Sequence, residues 1–206
     1  MPLSGDMTVW PGHQAPALHW NRTWAQQHEQ GFRSISSNFC TNVHNGTHVD
    51  APLHFIPDGA SVDELSLDRF MGPAVVIDVT AAEQITAEVL AQHVPQNAER
   101  ILLRTQNSLR RIAGQREFDT SFVALTADAA HWLVDAKVKL IANDYPSIAV
   151  YKGDSEIHLA LMRADIGILE GVVLDHVEPG NYELACLPML IAGAEGAPAR
   201  AMLRRR

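Results

Sequence analysis

A chain of 206 residues that is 47% hydrophobic and 19% charged has the size and balance of a single globular domain, expected over 1–206, able to bury its core without disulfides. A formal net charge of −8 argues against nucleic acid as a partner, which would call for clustered Lys and Arg. No run of about 18 apolar residues is present to span a membrane, and residues 1–11 lack the basic start and apolar run of a secretory signal, so the expected location is cytoplasmic.

In chain order, residues 32–43 read as extended, with an alternation that runs into a set of histidines. Residues 74–79 are a β-branched apolar run and read as a strand. Thr86 is placed to cap a helix over 87–93 that ends near Pro95. Residues 100–104 read as a strand, and Thr126 precedes an amphipathic helix over 127–136. A strand over 138–142 runs into the turn-forming Asn143-Asp144-Tyr145-Pro146. A short helix covers 156–163. Strands are expected at 166–169, 182–191 and 199–203, with Pro179-Gly180-Asn181 as a turn between the first two. Arg204-Arg205-Arg206 reads as a solvated tail. Helices and strands alternate but the last third is strand-rich, which predicts an α/β fold with a mixed sheet. No Gly-x-Gly-x-x-Gly or Walker loop follows a strand, so nucleotide binding has no support. Cys40 and Cys186 both lie in apolar sequence and read as reduced, buried thiols.

The chemistry concentrates in His44-Asn45-Gly46-Thr47-His48-Val49-Asp50-Ala51-Pro52-Leu53-His54. In an extended chain, side chains two apart share a face, which would set His44, Gly46, His48 and Asp50 together. Gly46 would leave room there for an ion, and Pro52 would bend the chain so that His54 swings back. Imidazoles with a carboxylate suit Zn²⁺, Mn²⁺ or Fe²⁺, and the two oxygens of Asp50 could bridge two ions. This spacing alone fits a catalytic or a structural metal site. It also leaves His54 open as a fourth ligand or as a proton-transfer group. Glu170, inside the apolar run 166–174, is costly to bury unless paired or metal-bound. His158 on its amphipathic helix would pass for a boundary residue. His13, His19, His28, His93, His131 and His176 have no ligand-like spacing and read as ordinary surface or core histidines. Trp20 and Trp24 read as core packing.

The segment His44-x-Gly-Thr-His48-x-Asp50-Ala-Pro-x-His54-Phe55 resembles the signature of the cyclase family, which includes bacterial kynurenine formamidases (arylformamidases) and isatin hydrolases. The resemblance extends through Trp10-Pro11-Gly12, Leu102-Leu103-Arg104-Thr105, Asp144-Tyr145-Pro146, Ile168-Leu169-Glu170-Gly171 and Gly196-Ala197-Pro198-Ala199-Arg200. It implies a swivelling β/β/α domain with a mixed, barrel-like central sheet and flanking helices, assembled as a homodimer or homotetramer. It implies two divalent ions, Zn²⁺ or Mn²⁺, held by His44, His48, Asp50, His158 and Glu170. His54 would be the acid/base catalyst, and Trp10 would line the pocket for a small aromatic amide. The implied reaction is hydrolysis of an N-formyl aryl amine such as N-formylkynurenine. Opening of a cyclic amide or ester of the isatin type and a metal-dependent cyclase or dehydratase reaction are the alternatives. Two stretches depart from the family pattern. His13 stands where Asp often follows Trp-Pro-Gly, and Ile148-Ala149-Val150-Tyr151-Lys152-Gly153-Asp154-Ser155 replaces the usual formamidase segment with its Asp-Pro.

Overall fold

The computed structural model describes residues 1–26, 31, 33–115 and 117–206. Phe32, where the expected extended segment begins, and His28 lie outside them. Strands β1 (Ala17–Arg22) and β2 (Ser36–Cys40) pair antiparallel as a separate arm. The rest builds a closed seven-stranded barrel. Its elements are β3 (His48–Asp50), β4 (Met71–Asp78), α1 (Ala87–His93), β5 (Arg100–Arg104), α2 (Gln106–Ile112), α3 (Ala127–Asp135), β6 (Leu140–Asn143), α4 (Glu156–Arg163), β7 (Gly167–Glu170), β8 (Gly180–Pro188) and β9 (Gly196–Arg205). The strand order is β3-β7-β6-β5-β4-β8-β9, and β9 closes on β3. Strands β4 to β7 pair in parallel, as helical crossovers require. The β3–β7, β3–β9, β8–β9 and β4–β8 pairs are antiparallel. The mixed barrel-like sheet matches the expected fold class.

Alternation along the strands makes two cores. Val75, Ile77, Ile101, Leu103, Ile141 and Ile168 face the helices, where Leu90, Leu133 and Leu161 cover them. Val76, Leu102, Leu140, Ala142, Leu169, Tyr182 and Leu184 form the second cluster with Phe70 and fill the barrel. Helix α1 starts where its cap predicts, with the Thr86 side chain accepting from the Val89 N–H at 3.3 Å.

Several expectations give way. Pro179-Gly180-Asn181 is not a free turn, because Gly180 and Asn181 already pair with Val76 and Val75. β8 stops at Pro188 rather than Ile191. Arg204 and Arg205 are no tail: they pair with Glu183 and Tyr182 at the end of β9, and Arg206 Nε meets Glu183 Oε2 at 3.0 Å. Cys186 is buried but Cys40 is exposed. Trp20 and Trp24 are 52% and 55% exposed, so they are not core. β1 and α2 were not foreseen from the sequence.

Candidate metal centre

The site is assembled from four places in the chain. Trp10-Pro11-Gly12-His13 forms a turn closed by the His13 N–H on the Trp10 carbonyl at 2.9 Å. Gly12 takes φ +93°, and proline precedes it as such a turn prefers. The turn presents both Trp10 and His13 to the cavity. His44 does not share an extended strand with Asp50, as the period-two reading supposed. It sits in a turn where the Asn45 N–H donates to the Asn42 carbonyl (3.1 Å) and its own N–H donates to Asn42 Oδ1 (2.8 Å). Gly46, at φ +71°, makes no room for an ion. A Cβ there would come 2.9 Å from Leu3 Cδ2, so the glycine admits the N-terminal segment instead. Only His48 and Asp50 share a face, on β3. Pro52 opens a short 3-10 turn to His54, and this does bring the His54 ring onto that of His44, stacked at 4.0 Å and 26°.

His158 comes from the first turn of α4 and Glu170 from the last position of β7, directly opposite His48 in the sheet register. The structure thus gathers five of the predicted residues into two clusters that share Asp50: His44-His48-Asp50 and Asp50-His158-Glu170. Asp50 Oδ1 lies 2.9 Å from His44 Nδ1 and 3.3 Å from His48 Nε2, whereas Oδ2 lies 3.9 Å from His158 Nε2. Glu170 Oε2 is 3.2 Å from His48 Nε2 and Oε1 is 3.4 Å from His158 Nε2. Glu170 Oε1 also accepts the Ile148 N–H at 2.7 Å. His48 Nδ1 faces the Gly46 carbonyl at 3.1 Å, which turns Nε2 toward the carboxylates. Both His44 Nε2 and His48 Nε2 are buried without a hydrogen-bond partner. Buried polar atoms are rarely left so, and mixed imidazole and carboxylate donors suit a divalent cation such as Zn²⁺ or Mn²⁺.

The electrostatics point the same way. Burial alone would push His48 down, yet the carboxylates of Asp50 and Glu170 facing it outweigh burial and raise its pKa to about 10. Burial likewise opposes protonation of His158, and Glu170 again wins and raises it. Burial would raise Asp50, but His44 and His48 hold it well below the usual carboxylate range. Glu170 is lowered by His158 and His48 against burial and the charge of Asp50. The carboxylate pair therefore recruits positive charge, here protons on two imidazoles. His54 differs: burial depresses its pKa, opposed by Asp50, so the ring is neutral near pH 7.

Above the clusters lies a cavity of about 290 Å³ lined by Trp10, His13, His54, Phe55, Val150 and Lys152, among others. Trp10 packs edge-on against Phe118 (5.1 Å, 77°) and tilted on Tyr151 (5.2 Å, 56°). Phe55 stacks on the His158 ring at 4.2 Å. His13, without ligand-like spacing in the sequence, joins neither donor cluster but lines the cavity. Its position just after the Pro-Gly turn was the available signal. Its Nδ1 is buried and unpartnered. No sequence spacing marks Glu195, whose Oε1 lies 3.5 Å from His44 Nε2. Thr47 donates to the Gly171 carbonyl at 2.7 Å.

Fold and site together define a barrel protein with two three-donor clusters that share Asp50 and suit a divalent cation. The family model "Putative cyclase" matches residues 1–150, and the chain belongs to the Cyclase family. It is 43% identical to Cyclase-like protein 2 of Oryza sativa subsp. japonica over 84% of this chain, spanning 66% of that protein's length. It is 39% identical to the kynurenine formamidase of Salinibacter ruber over 98% of this chain and 93% of that one. A solved structure described as a potential metal-dependent hydrolase with cyclase activity superposes with a TM-score of 0.84 at 28% identity, covering 100% of this chain and 95% of its own.

Proposed function

We propose that this chain is a metal-dependent hydrolase of amide C–N bonds, acting as an arylformamidase on N-formylkynurenine or a similar N-formyl aryl amine. The observation that carries the reading is the pair of three-donor clusters sharing Asp50 beneath a cavity with an aromatic wall. His44, His48, Asp50, His158 and Glu170 would hold two divalent ions, Zn²⁺ or Mn²⁺. Ions bound there would supply an acidified water and a Lewis acid for the carbonyl. His54, with a neutral imidazole, would take a proton from such a water and hand it to the leaving nitrogen, and stacking on His44 holds the ring for both tasks. Trp10, braced by Phe118 and Tyr151, offers a face to the substrate's ring. Similarity to the kynurenine formamidase of Salinibacter ruber supports the choice of bond.

The test is formate release from N-formylkynurenine by metal-loaded protein. His54→Ala is expected to lower kcat by roughly 10²–10⁴-fold, the usual contribution of a positioned acid/base group, with metal content unchanged. A full-rate His54→Ala enzyme overturns the proton-transfer role. Opening of isatin without formate release would favour the cyclic-amide reading, which the departure at Ile148 to Ser155 keeps open, since Ala149, Val150, Lys152, Gly153, Asp154 and Ser155 all line the cavity.

Residues 1–206 would act as one domain in the cytoplasm; no helix among the described residues is long and apolar enough to cross a membrane. A homodimer or homotetramer is supported by the β1–β2 arm. An isolated two-stranded ribbon is marginal in water, and this one exposes Leu18, Trp20 and Phe39, with Trp24 just beyond it. Sedimentation velocity is expected to show an assembly of at least two chains, and a monomer at micromolar concentration would refute it.

A further inference from the structure

We propose that Glu195 is a positioning residue that orients His44 for metal binding, an inference that rests on the two-ion reading above. His44 presents Nδ1 to Asp50 Oδ1 at 2.9 Å, inside the first cluster. A neutral imidazole that gives Nδ1 to an ion carries its proton on Nε2, and that atom is buried with no hydrogen-bond partner. A carboxylate oxygen faces it, Glu195 Oε1, 3.5 Å away. A carboxylate on the far nitrogen fixes the tautomer and the ring plane of a ligating histidine and makes the ligating nitrogen a better donor.

The backbone holds Glu195 there for a reason that can be traced. Its carbonyl accepts the Ala51 N–H at 2.9 Å, beside Asp50 itself. Gly196 follows, and a Cβ there would lie 2.8 Å from His44 Cε1, so only glycine lets the ring seat against this strand. The preceding turn is pinned twice. The Gly193 N–H donates to Asp63 Oδ1 at 2.9 Å, and the Ala194 carbonyl accepts the Val62 N–H at 2.8 Å. The Glu195 side chain itself is 44% exposed, so it contributes little packing, and its removal should leave the barrel intact.

The experiment is calorimetric titration of chelator-stripped protein with Mn²⁺, alongside the melting temperature of the metal-free form. Glu195→Ala is expected to weaken one of the two ions by roughly 10–100-fold, leaving the other ion and the metal-free melting temperature unchanged. Glu195→Gln keeps an acceptor oxygen at the same reach and should recover most of that loss. Unchanged affinity in Glu195→Ala overturns the proposal, as does equal weakening of both ions with a fall in metal-free stability. Complete loss of one ion would replace orientation by direct ligation. If the wild-type chain binds no Mn²⁺ or Zn²⁺ at all, the two-ion reading fails first, which separates the two failures.

Discussion

Asp50→Asn is expected to remove bound metal from both clusters and to reduce amide hydrolysis by about a thousand-fold or more, corresponding to at least ~4 kcal/mol of transition-state stabilisation. Asp50 is the residue common to both donor clusters among the described residues. Its Oδ1 serves His44 and His48, and its Oδ2 faces His158. Asparagine keeps the shape but removes the charge and turns one oxygen into a donor facing imidazoles. Without that charge, His48 and His158 keep only Glu170 as an anionic neighbour in the cluster. Metal analysis after gel filtration reads the first effect, and turnover before and after chelator treatment reads the second. Full ion content in Asp50→Asn would show that the clusters are not the metal sites. Because one member of a buried charged set is lost, the fold must be checked by circular dichroism. His158→Gln serves as a milder companion, touching only the second cluster and expected to halve the ion content. The sign with pH follows from the histidines. Their pKa values are raised in the metal-free protein, to about 10 for His48, so ions must displace protons. Wild-type affinity should therefore strengthen as pH rises from about 6.5 toward 10, with protons released on binding.

What the sequence revealed depended on how local each cause was. The bounds of α1, β5 and α4 follow from caps, apolar runs and amphipathic spacing within a few residues, and all three stand as read. The residues of the two His/Asp/Glu clusters were also legible, through a dense motif and its resemblance to a family. Their geometry was not. His44 approaches from a turn held by Asn42, and Glu170 meets His48 because β3 and β7 happen to be paired in that register. Neither fact is written in the spacing from 44 to 54. Glu195 reaches His44 only because β9 closes the barrel against β3. Helix α2 was missed for a related reason. Gln-Asn-Ser-Leu-Arg-Arg-Ile has little apolar periodicity, and its first turn is held by a side chain from the loop that follows β6.

That side chain is Asp144, and Asp144→Ala is expected to cost about 3–5 kcal/mol of folding stability, a fall of roughly 10 °C in melting temperature for a chain of this size. Asp144 is fully buried just after β6. Its carboxylate accepts the Thr105 N–H (2.8 Å), the Thr105 hydroxyl (2.7 Å), the Ser108 N–H (3.1 Å), the Ser108 hydroxyl (2.6 Å) and Asn107 Nδ2 (3.3 Å). It thereby satisfies the start of α2 and ties the ends of β5 and β6 together. This is also the physical link between the Leu102-Leu103-Arg104-Thr105 and Asp144-Tyr145-Pro146 segments, far apart in sequence. Alanine would leave several buried donors without an acceptor, and each such group is expensive to strand. Asp144→Asn should lose less, since one oxygen still accepts. The residue lies next to the stretch that serves the cavity. The Tyr145 carbonyl accepts the Gly171 N–H at 2.8 Å, directly after Glu170, and the Ser147 carbonyl accepts Asn143 Nδ2 at 2.7 Å. At temperatures where Asp144→Ala is folded, it should therefore bind its full complement of ions, with a raised KM as the Pro146-Ser147 wall loosens. The two aspartates are thus separable by measurement: Asp50→Asn loses metal, whereas Asp144→Ala loses stability in the metal-free and metal-loaded protein alike. A wild-type melting temperature for Asp144→Ala would refute this account of how α2 is held.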